Sequence, residues 1–296
     1  MKRQKFPPAS LRNLLDDALD RCDADQRLNH DPLGIVHRYD HPADREVVAL
    51  IAASVAYGRV DLIRRAVDDV LHPLGARPAQ RLRGLSIDEL SRHWPDFRYR
   101  MTGRDDLIDL LVAIHRTLLT EGSLQALYQE CSDSDRSIES PQAHLSVISR
   151  WIQTLRRRRL RPTLERGLKY LLVDPTDGSA AKRMHLFFRW MVRGPDELDL
   201  GLWDTPLPSA LIMPLDTHTS RLVRYLGLSQ RKSTDLKAAL KVTHGLARLA
   251  PDDPLRYDFA LCHLGISEQC IHQYSAPRCS QCPIEPACVL AQNHQS

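Results

Sequence analysis

Four of the seven cysteines, Cys270, Cys279, Cys282 and Cys288, crowd into the end of the 296-residue chain with the spacing C-x8-C-x2-C-x5-C. No other feature restricts the fold of its region so tightly. The two-residue step lets two thiolates on one tight loop grip the same centre, and the flanking cysteines can close it from either side. Four thiolates suit tetrahedral zinc or a [4Fe–4S] cluster. Pro277, Pro283 and Pro286 stiffen the connecting loops, which lowers the entropy lost on closure. The basic start of the chain has no apolar run behind it, which predicts a cytoplasmic protein. In a reducing cytosol such a cluster is a metal site rather than a disulfide framework. Cys262 is expected to pack on a helix, and Cys22 and Cys131 stand alone.

The remainder reads as helix. Leu11, Leu14, Leu15, Ala18 and Leu19 recur on one helical face, and residues 47–55, 62–71, 107–119, 149–160, 182–192, 220–226 and 236–249 carry similar stripes or runs. Few stretches alternate with period two, so the expected fold class is all-α. No run approaches the ~18 apolar residues of a membrane helix, so no membrane partner is expected. Lysine and arginine number 41 against 37 acids, a formal net charge of +4, which permits nucleic-acid binding without requiring it. Residues 132–137 read as a polar surface linker. The run Arg156, Arg157, Arg158, Arg159 and Arg161 reads as a solvated helix face or as a phosphate-contacting patch.

Two segments carry a family likeness. The stretch Arg278-Cys279-Ser280-Gln281-Cys282-Pro283-Ile284-Glu285 resembles the iron–sulfur loop of endonuclease III and MutY-type helix-hairpin-helix DNA glycosylases, although the first gap of eight residues is longer than the family's usual one. Pro214-Leu215-Asp216-Thr217-His218, followed by Arg221-Leu222, resembles the segment that bears the catalytic aspartate in the same superfamily. The likeness implies an all-α fold of two lobes with DNA between them. Residues 1–45 and 195–296 would form the lobe with the four-cysteine cluster, and residues 46–194 a central helical lobe ending in a degenerate hairpin. It favours [4Fe–4S] over zinc, and it implies a monomer that acts on double-stranded DNA with a damaged base.

The same resemblance assigns roles. Asp216 would stabilise the oxocarbenium-like charge that grows on the sugar, and it doubles as a natural helix N-cap. Lys182, which opens a helix after the turn at residues 174–178, would be the nucleophile of a base-excision glycosylase with AP-lyase activity, with Lys169 a weaker rival. Its spacing from Asp216 is closer to that of the archaeal 8-oxoguanine glycosylases. Such an amine must be partly neutral, and desolvation and a helix N-terminus are both expected to lower its pKa. Gly178, Ser179, Arg183, Arg189 and Arg193 would contact DNA, and Tyr57 would fill the gap left by an everted base. Two alternatives stay open: a monofunctional glycosylase using water activated by Asp216, and a catalytically inactive iron–sulfur DNA-binding protein.

Overall fold

A computed structural model describes residues 8–24, 28–29, 31–132, 138–266 and 270–294. All but the first residue of the expected linker lies outside the described residues. Helix accounts for 60% of the chain and strand for 2%, so the fold is all-α. In chain order the helices are α1 (Pro8–Asp20), α2 (Leu33–Val36), α3 (Pro42–Ser54), α4 (Val60–Leu71), α5 (Pro78–Gly84), α6 (Ile87–Arg92), α7 (Arg104–Thr120), α8 (Leu124–Glu130), α9 (Pro141–Arg157), α10 (Arg166–Leu171), α11 (Lys182–Val192), α12 (Thr217–Tyr225), α13 (Leu236–Ala247), α14 (Asp258–Ile266), α15 (Ala276–Cys279) and α16 (Val289–His294). Between α6 and α7 lies a short antiparallel hairpin, β1 (Arg98–Tyr99) and β2 (Thr102–Gly103). It is too short to leave a period-two pattern. Among the described residues no helix is long and apolar enough to cross a membrane.

The apolar side chains form two cores. The larger one takes residues from Leu33 to Leu211, with Leu255 and Phe259. The smaller one joins Leu11, Leu15 and Ala18 of α1 to the segment from Ile212 to Ala287, together with Leu145 and Ala180. Residues of α1 share one core with the segment from Ile212 to Ala287, whereas Leu33–Val36 and the stretch from Leu198 to Leu211 belong to the other. They sit there because their apolar side chains complete the packing around α3. Every residue from Val47 to Ala53 is fully buried. A helix that is apolar all round can only be central, and α11 packs against it. From α11, Phe187 and Phe188 join Trp151, Tyr128 and Trp203 in an aromatic cluster.

The arginine run is mostly paired within the protein, and Arg157 is its exposed member. Arg156 is buried and donates to the Leu172 carbonyl. Arg158 pairs with Glu121, Arg159 donates to the Arg156 and Pro162 carbonyls, and Arg161 bridges Asp106 and Asp109. Arg157 donates to the Thr154 hydroxyl. Arg158 ties the end of α9 to Glu121 at the end of α7, and Arg116 of α7 donates to the Arg158 and Arg159 carbonyls, which the turn leaves open.

Glu46 on α3 is buried below the start of α8. Its carboxylate accepts from the Leu124 and Gln125 N–H groups and from the Trp203 indole. Burial outweighs those donors and raises its pKa from 4.5 to about 6. The folded chain therefore holds a proton that the unfolded chain has released. This group costs stability as pH rises from about 4.5 to 6, by up to ~2 kcal/mol. Glu46→Gln, followed by urea unfolding at pH 4.5 and 6.5, is expected to remove that part of the decline. An unchanged pH dependence would show that Glu46 is ionised at both.

Candidate active site

Two helix N-termini meet where the two cores meet. Residues 172–181 make a turn between α10 and α11. Asp174 caps a short 3-10 segment, Pro175–Asp177, by accepting from the Thr176 N–H. Gly178 follows in the left-handed region with φ 88°, which favours glycine. Its N–H donates to the Pro175 carbonyl, and its carbonyl accepts from the Leu236 N–H at the start of α13. Gly178 and Ser179 are exposed. Ala181 takes the N-cap position with φ 41°, and Lys182 is the first residue of α11.

The Lys182 ammonium donates to Asp216 Oδ2 at 2.8 Å. Asp216 Oδ1 accepts from the Thr219 N–H, also at 2.8 Å, so this residue is the N-cap of α12 as well as the partner of Lys182. The side chains keep 30% and 19% exposure, which leaves the pair open to solvent on one side. Burial raises the Asp216 carboxyl, but the Lys182 charge and the two donated hydrogen bonds hold it below the ordinary aspartate value. For Lys182, burial acts downward as the sequence reading expects. The Asp216 carboxylate, aided by Cys262 and Asp258, acts more strongly and holds the amine above the ordinary lysine value. The expected depression is thus overturned: the resting pair is a closed ammonium–carboxylate contact, because an opposite charge at hydrogen-bond distance outweighs partial desolvation.

Two more groups face this pair from α14. Burial pushes the Cys262 thiol up to about 12, with the Lys182 charge acting against that rise. Asp258 is raised by burial and pulled back by Arg189. The sequence alone gives Cys262 only as a packed core residue. Nothing local marks it, since it reaches the site through the packing of α14 on α12, where Gly265 lets the backbone approach His218. Asp31, ahead of α2, also lies within the field of Lys182 and Arg189, and burial raises it.

The three arginines assigned to DNA point inward. Arg183 donates to the Ser54 and Tyr170 carbonyls and lies over the Tyr57 and Tyr170 rings. Arg189, 3% exposed, bridges Asp199 at 3.1 Å and Asp258 at 2.6 Å. Arg193 binds Asp253 and Asp199. These charges tie α11 to the start of α14, so they are structural in this conformation and present no free guanidinium to a phosphate. Tyr57 is likewise held. Its hydroxyl donates to the Tyr99 carbonyl and meets Thr102 Oγ1 at 2.6 Å, and its ring packs on Tyr99 and Tyr170 at 5.0 Å. A ring fixed in this way cannot serve as the inserting side chain. Lys169 lies exposed on α10, before the turn.

The four clustered cysteines line one cavity, with Leu222, Leu264, Ile284 and Leu290 among its walls. All four are free thiols. Backbone N–H groups point at three of the sulfurs: Ser275 at Cys279, Ile284 at Cys282, and Leu290 and Ala291 at Cys288. Burial pushes the Cys282 thiol up to about 11. Among the described residues, no three His, Cys, Asp or Glu side chains stand together in a group that could hold a metal ion. The cavity wall is largely apolar, all four thiols line it, and the sulfurs of Cys279, Cys282 and Cys288 accept N–H bonds.

A family model described as "Protein of unknown function (DUF2400)" matches residues 31–267, and the chain belongs to that family. The matched region holds Lys182, Asp216 and Cys262 and stops before Cys270. No curated protein and no solved structure matches the chain.

Proposed function

We propose that this DUF2400 member is a DNA-repair glycosylase that removes damaged bases from duplex DNA, with AP-lyase activity through Lys182. The observation that carries the reading is the 2.8 Å contact between Lys182 Nζ and Asp216 Oδ2 across facing helix N-termini. A nucleotide entering between the two side chains would separate them. The ammonium would then lose its proton to solvent, and the free amine would attack C1′ as the base departs with the bonding electron pair and takes up a proton from solvent, while the carboxylate would balance the positive charge on the sugar. The bond lies inside the stack of a duplex, so the nucleotide must first be everted. In this reading the two cores are the lobes of a helix-hairpin-helix glycosylase-like fold, and α10, its turn and α11 are the hairpin element. The test is borohydride trapping with the full chain against duplexes that carry different damaged bases or an abasic site. A covalent adduct is expected with at least one of them. Base release without any adduct would favour the monofunctional alternative, in which Asp216 activates water. That reading draws support from the amine being held as an ammonium. Neither release nor adduct from any duplex would overturn the enzyme assignment.

We also propose that Cys270, Cys279, Cys282 and Cys288 hold a [4Fe–4S] cluster. Its support is the cavity ringed by all four thiols and the N–H groups directed at their sulfurs. When bound, the cluster would order the loop from Cys270 to Cys288, a structural role. Protein purified without oxygen is expected to be brown and to carry about four irons per chain. Cys282→Ser is expected to lose the colour and unfold at lower denaturant. A colourless protein with one zinc per chain would overturn the iron assignment.

A further inference from the structure

The β1–β2 hairpin packs against α10, the helix before the turn that leads to Lys182, and plays no part in the chemistry described so far. Met101 at its tip is the most exposed large apolar side chain among the described residues, at 67%. The mount beneath it is rigid. The Tyr57 hydroxyl holds the Tyr99 carbonyl and Thr102 Oγ1, and the Tyr99 hydroxyl donates back to the Tyr57 carbonyl. Tyr57, Tyr170 and the Arg183 guanidinium stack below, and Arg183 adjoins Lys182. Arg100 enters the turn at φ 52°, a left-handed backbone that favours glycine, so the chain holds an arginine there under strain.

The rim is basic. Arg98 and Arg100 are exposed on the hairpin, and Arg166 and Lys169 are exposed on α10, which packs against β2. Among the described residues these four form no ion pair, whereas nearby Arg59 is held by Asp61. A lone apolar side chain on a locked hairpin, ringed by unpaired cations, is unsuited to an apolar protein partner. It matches a polyanion with a stacked apolar interior.

We propose that the hairpin is a DNA wedge: Met101 inserts between base pairs while Arg98 and Arg100 hold the flanking phosphates. This rests on the reading of duplex DNA as the partner. The test uses the full chain and two labelled duplexes, one fully paired and one with a tetrahydrofuran abasic site next to 2-aminopurine. With the wild type, binding to the abasic duplex is expected to change the 2-aminopurine fluorescence. Met101→Ala is expected to bind that duplex about tenfold more weakly and to lose the fluorescence change, with an unaltered Tm, while Met101→Leu keeps both. Arg98→Ala and Arg100→Ala are each expected to weaken both duplexes alike and to lower the salt slope by about one. If Met101→Ala binds and changes the fluorescence as the wild type does, the wedge is overturned and the DNA reading stands. If the wild type binds neither duplex, both fall.

Discussion

Lys182→Ala is expected to reduce borohydride-trapped adduct to background while leaving the helix content of the protein intact. Lys182 is 30% exposed at the first position of α11, where the helix has yet to form its own hydrogen bonds. Asp216→Asn keeps a capping oxygen for the Thr219 N–H but removes the charge, and it is expected to slow adduct formation by about 10²–10⁴-fold. The pH dependence distinguishes the roles. Asp216 is held low, so the pair is intact above the ordinary aspartate value and breaks as pH falls through its lowered one. Lys182 is held high, so the pair is fully present below the ordinary lysine value and is lost as pH rises through the raised one. The free amine is therefore scarce at neutral pH. Adduct formation by the wild type is expected to rise about tenfold per pH unit from pH 7 to 9. A trapping yield unchanged in Lys182→Ala would remove Lys182 as the nucleophile, and a flat pH profile would mean that the substrate has already displaced the proton.

The second large effect is on stability. Arg189→Ala would leave Asp258 without its 2.6 Å partner and Asp199 with Arg193 alone, both carboxylates being almost wholly buried. Removing one partner of a buried pair costs about 3–5 kcal/mol, because the remaining charge stays desolvated. A matching loss is expected in urea or guanidinium unfolding. Arg193→Ala is expected to cost less, since its other partner, Asp253, is 30% exposed. Asp258 opens α14, the helix that brings Cys262 to the site. A sub-denaturing condition should therefore lose trapping activity in Arg189→Ala before it does in the wild type. A loss under 1 kcal/mol would show that water reaches these carboxylates.

The helices around Leu11 to Leu19 and Met184 to Val192 could be read from the spacing of apolar residues, because a 3.6-residue period is written locally, and that around Val47 to Ser54 from an unbroken apolar run. So could the N-cap of Asp216, which needs only the N–H group of a residue three positions on. The meeting of Lys182 with Asp216 was legible only as a family likeness, since nothing within either segment specifies the other. The arginines were misread for the same reason. A guanidinium in sequence shows its charge but not its partner, and the partners of Arg156, Arg161, Arg183 and Arg189 lie on other elements. Length, charge and period determined an all-α chain with a thiol-rich end. Tertiary packing decided which charges are buried and paired, which thiol stands beside the lysine, and that a six-residue hairpin exposes Met101. Burial and Coulombic pairing depend on distance in space, and only short-range order is encoded by distance along the chain.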